Sequence, residues 1–507
     1  MAAELVSVTI DGQTRQFPKG TILLDACRQM GAKVPFFCWH PGLSSPAVCR
    51  QCLVEVKGAP KLVPSCYTPV ADKMEVLTSS ARAVDARRQM LEFTLLNHPI
   101  DCPVCDKAGE CSLQKHYFDH DARYARNDGI KVRKAKVVDV GPHIVLDQER
   151  CILCTRCIRV CNEVAHQPDL TMAMRGDHQV LTTAPGRKLD NPYSLNTVDV
   201  CPVGALTSKD FRFSMRAWEL WATPSICPGC ATGCNIEVHA SRGRIARLVP
   251  RPNPEVNRYW MCDEGRFTYK AVHAERLLAP ALRGSLVDWP RALSEAVGLL
   301  KTESPQKMGV VFSAQACNED IFAVARLCAA LKVERAYVVG AAEGWSDQIL
   351  VSADKNPNTA GVHSVAGAEL RSRAELDKDV AAGVVSTVLV LGDGEVRGAR
   401  SVVLAWHGVP GAQVALPLAA WAEIDGTVTN RQGRVQRLHA AVPAAGQAEP
   451  GWQIATRLAQ ALGLGLEDLT SAEQVFRLAR AHIAGMKDAE WGRTQIPVQL
   501  RFANSRG

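Results

Sequence analysis

His98-Pro99-Ile100-Asp101-Cys102-Pro103-Val104-Cys105-Asp106-Lys107-Ala108-Gly109-Glu110-Cys111 sets one imidazole and three thiols at the spacing His-x3-Cys-x2-Cys-x5-Cys. The x2 loop lets two sulfurs grip one cubic cluster, while His98 and Cys111 reach it from either side. Prolines and a glycine suit a tight, non-helical wrap. Three thiolates and an imidazole also make a tetrahedral zinc set. The thiolate-rich donors lean toward iron and sulfide, and the remaining cysteines decide between the two.

Working outward, 507 residues exceed one ordinary core, so three or four domains are expected. Apolar content of 47% and charged content of 22% are those of a soluble globular chain. The start, Met1-Ala2-Ala3-Glu4-Leu5, lacks the basic and apolar regions of a signal peptide. No run approaches the roughly 18 apolar residues of a membrane span; the best, 381–391, contains Ser386 and Thr387. Nineteen cysteines in such a chain read as reduced thiols kept for metal ligation. Only Cys317 and Cys328 follow Cys262, so a cysteine-rich half precedes an ordinary one. The net charge is +7, and the densest basic run lies in 123–136. There Arg123, Arg126, Lys131, Arg133, Lys134 and Lys136 face only Asp121 and Asp128. It reads as a solvated face first and a protein-partner surface second. No aromatic interleaving or motif supports nucleic acid.

Upstream of the opening stretch, 6–10 alternates as a strand, Asp11-Gly12 signals a type I′ hairpin, and 13–17 returns. Thr21 is placed to cap a short helix through Gln29, which Gly31 stops. Cys38, Cys49, Cys52 and Cys66 then follow as C-x10-C-x2-C-x13-C. Two long loops and one short one suit a flat 2Fe–2S rhomb; a zinc ribbon would pair two short knuckles. Further strands at 51–57 and 73–77 complete a β-grasp ferredoxin, with Cys27 as a small core residue in the helix. A second helix over 81–96, with Val84, Met90, Leu91 and Leu95 as its apolar face, delivers the chain to His98.

These two motifs in succession resemble the large iron–sulfur subunit of bacterial NADH–quinone oxidoreductase, respiratory complex I. The same front module is similar to that of iron-only hydrogenases and of the electron-transfer subunits of NAD-linked hydrogenases and formate dehydrogenases. The resemblance implies electron-relay clusters, with His98 joining Cys102, Cys105 and Cys111 as the nitrogen ligand of a 4Fe–4S cube.

Cys151, Cys154, Cys157 and Cys161 form a ferredoxin-like C-x2-C-x2-C-x3-C. In two-cluster ferredoxins the fourth cysteine serves the neighbouring cluster, and a Cys-Pro pair returns to complete the first. Cys201-Pro202 is that pair, but the neighbour's ligand positions hold Asn191, Ser194 and Thr197. One 4Fe–4S site therefore survives, on Cys151, Cys154, Cys157 and Cys201, with Cys161 a buried remnant. The long gap before Cys201, with Gly176, Pro185, Gly186 and Pro192, is expected to be a surface excursion. This eroded pair resembles the complex I subunit, whereas hydrogenases typically keep both runs.

Cys227, Cys230, Cys234 and Cys262 give C-x2-C-x3-C-x27-C around a hairpin of 235–239 and 245–249. The pattern is similar to the N-terminal 4Fe–4S domain of molybdenum and tungsten bis-pterin oxidoreductases; four-cysteine zinc remains the alternative. Beyond Cys262, short β-branched runs at 309–312, 335–339, 386–391 and 401–405 argue for parallel α/β packing, with a helix over 318–332 between the first two. Leu391-Gly392-Asp393-Gly394 reads as a plain βα turn rather than a phosphate cradle. The segment from Glu423-Ile424-Asp425-Gly426-Thr427 through Asn430 to Gly433-Arg434-Val435-Gln436 resembles part of the molybdopterin-type fold. Catalytic members of that fold are much longer, and carry a lysine two residues after the fourth cysteine, where Glu264 stands here. Cys317 and Cys328 read as buried structural residues of one apolar helix.

The expected architecture is multidomain α/β and α+β. Its domains are a β-grasp 2Fe–2S domain (1–80), a His/Cys3 4Fe–4S domain (81–122) and an eroded two-cluster ferredoxin-like domain (140–218). A 4Fe–4S domain of the molybdenum/tungsten type (220–276) and a truncated molybdopterin-oxidoreductase-like α/β scaffold (277–507) follow. The resemblance implies one 2Fe–2S and three 4Fe–4S clusters, no molybdenum cofactor, and no acid, base or nucleophile in this chain. Its implied partners are a flavin- and NADH-binding subunit and other peripheral-arm subunits, including a membrane-proximal iron–sulfur subunit, on the cytoplasmic side of the inner membrane. Electrons would pass the 2Fe–2S site, the Cys151 site and the His98 site in turn. An electron subunit of an NAD-linked hydrogenase or formate dehydrogenase is the alternative.

Overall fold

Alternation decides the first sheet: in Leu5–Ile10 the side chains of Val6, Val8 and Ile10 are buried, while Ser7 and Thr9 are not. Asp11 (φ 48°) and Gly12 (φ 83°) both take the left-handed conformation that a type I′ turn demands, and Ile10 pairs with Gln13. The sheet order is Gln13–Pro18, Leu5–Ile10, Met74–Leu77, Leu53–Val56, Val63–Pro64. Helix Leu23–Gln29 buries Leu23, Leu24, Ala26 and Cys27 in the same core, giving a β-grasp. Thr21 does not cap it. Ile22 is the N-cap with no side-chain bond, and the Thr21 hydroxyl donates to the Pro18 carbonyl instead, at 2.7 Å.

The computed structural model describes residues 4–120, 126, 129–367, 369–492 and 498–500. Arg123, Asp121 and Asp128 of the basic run lie outside them. Helix Ala81–Leu96 opens on Ser80, whose hydroxyl accepts from the Ala83 amide. Its buried stripe is Ala83, Arg87 and Leu91; of the expected face Leu91 is buried, while Val84, Met90 and Leu95 are half-buried. Arg87 can lie inside because Nε and Nη2 both donate to the Leu53 carbonyl, at 2.9 and 2.8 Å. Farther on, Ile144–Leu146 pairs with Val138–Asp139 and Leu206–Ser208. The gap before Cys201 folds into a hairpin, Leu170–Ala173 with Val180–Thr183.

Two compact units result. The first runs through Leu220 and takes in Gln499 and Leu500; the second is Trp221–Val498. The second opens with an antiparallel sheet of Trp221–Ile226, Asn235–Ser241 and Arg244–Pro250, turning at Arg242 and Gly243. Its larger sheet runs parallel from Leu370–Arg371 through Arg335–Val339, Met308–Ser313, Thr387–Leu391 and Arg400–Ala405 to Val414–Pro417. Val310, Phe312 and Leu389 enter one core with helices Asn318–Ala330 and Gly451–Leu462, while Val311, Val388 and Val390 enter another. Both faces are covered, which explains the continuous apolar runs. The turn after Leu391 is structural: Asp393 accepts from the Trp406 and His407 amides. Cys317 is the N-cap of helix Asn318–Ala330 rather than within it, and both it and Cys328 are buried.

That helix start also buries two carboxyls. Glu319 accepts from the Thr427 amide and hydroxyl, both at 2.7 Å, and Asp320 from the Trp452 amide at 2.8 Å. Burial pushes Glu319 up to about 7 and Asp320 to about 6. Folding therefore favours the protonated form, and stability drains as pH rises from the unfolded carboxyl range to about 7. Glu319→Gln should remove on the order of 2 kcal/mol of the decline between pH 5.5 and 8. Thermal unfolding of the second unit at the two pH values should show a narrower gap in the variant.

Candidate metal centres

In the first unit, Cys38 contacts the thiols of Cys49 and Cys66, and Cys52 contacts that of Cys66. Hydrogen bonds from Cys49 and Cys66 drive the Cys38 thiol far down, to about 2. The amides of Phe37 and Cys38 both aim at the Cys49 sulfur, at 3.4 Å. Four sulfurs gathered on loops, with main-chain donors facing them, fit a thiolate-held group.

His98 follows directly on helix Ala81–Leu96. Burial, then the nearby charges of Arg150 and Lys131, hold its imidazole down at about 4, so the ring is neutral. Its Nδ1 is buried with no hydrogen-bond partner among the described residues, an orphan that suits a ligand nitrogen. Cys105 and Cys111 are buried and Cys102 is exposed. Burial raises the Cys111 thiol to about 12, while amides at the start of helix Ser112–His120 point toward its sulfur.

Around Cys151 the chain turns twice through left-handed residues that are not glycine, Leu153 (φ 54°) and Thr155 (φ 63°). Cys151, Cys154, Cys157 and Cys201 consequently line one cavity of ≈ 330 Å³ empty volume. Met172 and Leu181 of the 170–183 hairpin form part of its wall, so the expected surface excursion is partly interior. Cys161 does not line the cavity. It is buried beside Asp169, Leu170 and Asn191, and Asn191 in turn donates to Asp169 at 2.8 Å. Thr197 donates to the Ser194 carbonyl at 2.7 Å. The vacated ligand positions are thus spent on local hydrogen bonds.

In the second unit, Cys227, Cys230, Cys234 and Cys262 are all buried and line a cavity of ≈ 360 Å³ empty volume. A Cβ on Gly265 would lie 3.0 Å from the Cys227 sulfur and 3.3 Å from that of Cys262, a tight approach that a side chain there would widen by a few tenths of an ångström. Glu264 pairs with Lys355 at 3.1 Å, and both reach the cavity. A lysine therefore does stand there, supplied from far along the chain. Asn430 donates to the Thr232 carbonyl (3.2 Å), Gln436 to that of Gly233 (3.1 Å), and the Arg431 amide to that of Ala231 (2.7 Å). The molybdopterin-like segment clamps the cysteine loop.

Five families match successive parts of the chain. Residues 3–81 match the 2Fe-2S iron-sulfur cluster binding domain, and 87–126 the NADH-ubiquinone oxidoreductase-G iron-sulfur binding region. Residues 141–207 match the ferredoxin-like domain of NADH-quinone oxidoreductase subunit 3, 221–274 the molybdopterin oxidoreductase Fe4S4 domain, and 404–461 molybdopterin oxidoreductase. The G-type NADH-quinone oxidoreductase subunit of Streptomyces coelicolor is 40% identical over 332 residues, 64% of this chain and 39% of that one. Its Rickettsia bellii counterpart is 38% identical, over 63% of this chain and 47% of its own. The NADH-ubiquinone oxidoreductase 75 kDa subunit of Reclinomonas americana is 40% identical, over 57% and 42%. The chain resembles the G-type subunit of NADH–quinone oxidoreductase. It carries 2Fe–2S and 4Fe–4S binding domains followed by a partial molybdopterin oxidoreductase domain, the expected fold class. It spans less than half the length of these G-type and 75 kDa relatives. A solved NAD+-reducing [NiFe]-hydrogenase chain is 29% identical over 42% of this chain and 91% of that one, with a TM-score of 0.39.

For this chain of G-type likeness, motif spacing located the thiols but missed what joins them. Arg156 donates to the carbonyls of Trp39 and Val200, and Arg159 to those of Cys38 and Ser44, tying the Cys38 loop to the Cys157 helix. Two arginines inside a four-cysteine run were the available signal, since buried thiolates call for nearby cations. On the other side, the Cys111 sulfur lies 3.6 Å from the Pro202 carbonyl. A Cβ on Gly204 would sit 2.3 Å from the Cys105 sulfur. Gly204→Ala should therefore displace Cys105 and lower the iron and sulfide content of the purified protein. Gly298→Ala, at a helical position with open space, should leave both unchanged.

Proposed function

We propose that this chain is an electron-transfer iron–sulfur subunit of an NADH–quinone oxidoreductase, serving between a flavin- and NADH-binding subunit and quinone in a proton-pumping complex. The ligand sets are Cys38, Cys49, Cys52 and Cys66 for one 2Fe–2S cluster, and three sets for 4Fe–4S clusters. These are His98 with Cys102, Cys105 and Cys111; Cys151, Cys154, Cys157 and Cys201; and Cys227, Cys230, Cys234 and Cys262. The observation that carries the reading is a run of contacts inside the first unit. Arg156 and Arg159 fasten the Cys38 group to the Cys157 group, and Pro202 and Gly204 press the latter against Cys111 and Cys105. Three sulfur groups in series are what a relay requires, in the order the resemblance implies. Bound clusters supply one-electron chemistry; this chain's residues supply ligand identity, burial and spacing.

The Cys227 group belongs to the second unit and stands outside that series. The contacts of Asn430 and Gln436 with the cysteine loop support a scaffold role there, and no molybdenum cofactor is expected. The partners are the flavin subunit and other peripheral-arm subunits, including a membrane-proximal iron–sulfur subunit, on the cytoplasmic face of the inner membrane. Among the described residues no helix is long and apolar enough to cross a membrane.

Purification of the native complex tests the assignment: the chain should come with a flavin subunit and membrane subunits, and a hydrogenase or formate dehydrogenase partner would overturn it. Anaerobically prepared protein should hold about 14 irons per chain, the sum for one 2Fe–2S and three 4Fe–4S clusters, with no molybdenum or stoichiometric zinc in place of that iron. Cys161→Ala should cost only a small cavity, about 1–2 kcal/mol, with near-normal spectra and turnover. Cys201→Ala should lose one cluster and NADH–quinone activity together.

A further inference from the structure

Helix Ser112–His120 carries a second set of metal-capable side chains that neither cysteine spacing nor the relay reading uses. His116, Asp119 and His120 occupy positions i, i+3 and i+4, so all three project from one side of the helix. One ring nitrogen of each histidine and a carboxylate oxygen of Asp119 lie within 4.8 Å of one another. The two imidazole centroids are 5.8 Å apart. His116 Nε2 lies 3.2 Å from the Phe36 carbonyl, which can only accept, so the proton sits on Nε2. Its Nδ1 therefore carries the lone pair, and that atom is buried with no hydrogen-bond partner among the described residues. A ring with one nitrogen fixed by a carbonyl and the other free is the usual state of a metal-ligating histidine.

We infer that His116, Asp119 and His120 form a mononuclear site for a borderline divalent transition ion, with zinc the probe its two nitrogens and one oxygen call for. Three protein ligands leave a fourth position for water. Lys115 is paired with Asp119 at 2.7 Å. The two side chains are 36% and 43% exposed, so the pair is screened by water and exchanging the ammonium for a metal ion gives up little. Arg88 does not compete, because its guanidinium is bonded to the His120 main-chain carbonyl at 3.1 Å. The site also has a neighbour of consequence. The His116 ring packs on Phe37 with centroids 5.1 Å apart, one residue from Cys38.

The test uses the full chain with its iron–sulfur complement intact, incubated with limiting zinc chloride, freed of unbound ion, and assayed for zinc, iron and sulfide. The expected result is one zinc per chain beyond the iron, with zinc-edge X-ray absorption showing nitrogen and oxygen scatterers and no sulfur. His120→Gln and Asp119→Asn should each weaken zinc at least tenfold in competition with a chromophoric chelator, with iron and sulfide unchanged. Lys115→Ala should bind at least as tightly as the parent. Sulfur scatterers on the zinc, parental affinity in both ligand variants, or no zinc retained would each overturn the site.

Discussion

Arg156 and Arg159 point their guanidinium groups inward, and the groups they bond are main-chain carbonyls rather than carboxylates. Removing such a cation from water costs several kcal/mol, and neutral dipoles recover only part of it. Ionised sulfur can supply part of the balancing charge, and the Glu163 carboxylate supplies another part at Arg159. Burial works to lower both arginines, and the thiolates of Cys154, Cys49 and Cys38 oppose it. Sulfur, for its part, ligates metal only as thiolate. The joint between the Cys38 loop and the Cys157 helix is therefore a mutual arrangement, in which each charge makes the other tolerable in a dry interior.

What was legible in the sequence follows from how far each signal reaches along the chain. Cysteine spacing is local, and it singled out Cys151, Cys154, Cys157 and Cys201, which line one cavity that Cys161 does not line. Strand alternation and Asp11-Gly12 are local as well, and held to within a residue or two. The failures lie where a distant partner decides. Arg87 entered a stripe expected to be apolar because a carbonyl of another strand was waiting for it. Met172 and Leu181 became cavity wall because the hairpin folds back. Lys355 lies 91 residues from Glu264, and no local pattern could pair them. His116, Asp119 and His120 were legible as a spacing, but only Phe36 reveals which nitrogen is free.

In the second unit a buried polar network joins helix and hairpin. Asn318 donates to the hydroxyls of Thr427 and Thr429 at 3.0 and 3.1 Å, and Asn358 joins them through Asn318 and the Thr429 amide. A buried network of this kind specifies one arrangement of helix and hairpin because every member is satisfied by another. From that fixed hairpin Asn430 and Gln436 reach the backbone of the cysteine loop. The segment that resembles part of the molybdopterin-type fold thus braces the cysteine loop.

Of the nineteen cysteines, Cys102 alone is exposed, flanked by the exposed side chains of Ile100 and Val104. Oxidation of sulfur follows access, beginning at the sulfenic acid and ending beyond repair. The other cysteines of the proposed sets are shielded to some degree by protein, as is Cys161; this one is met first by dissolved oxygen. A chain handled in air would thus age from a single corner. The apolar rim around Cys102 marks where covering by another surface would do most to slow it.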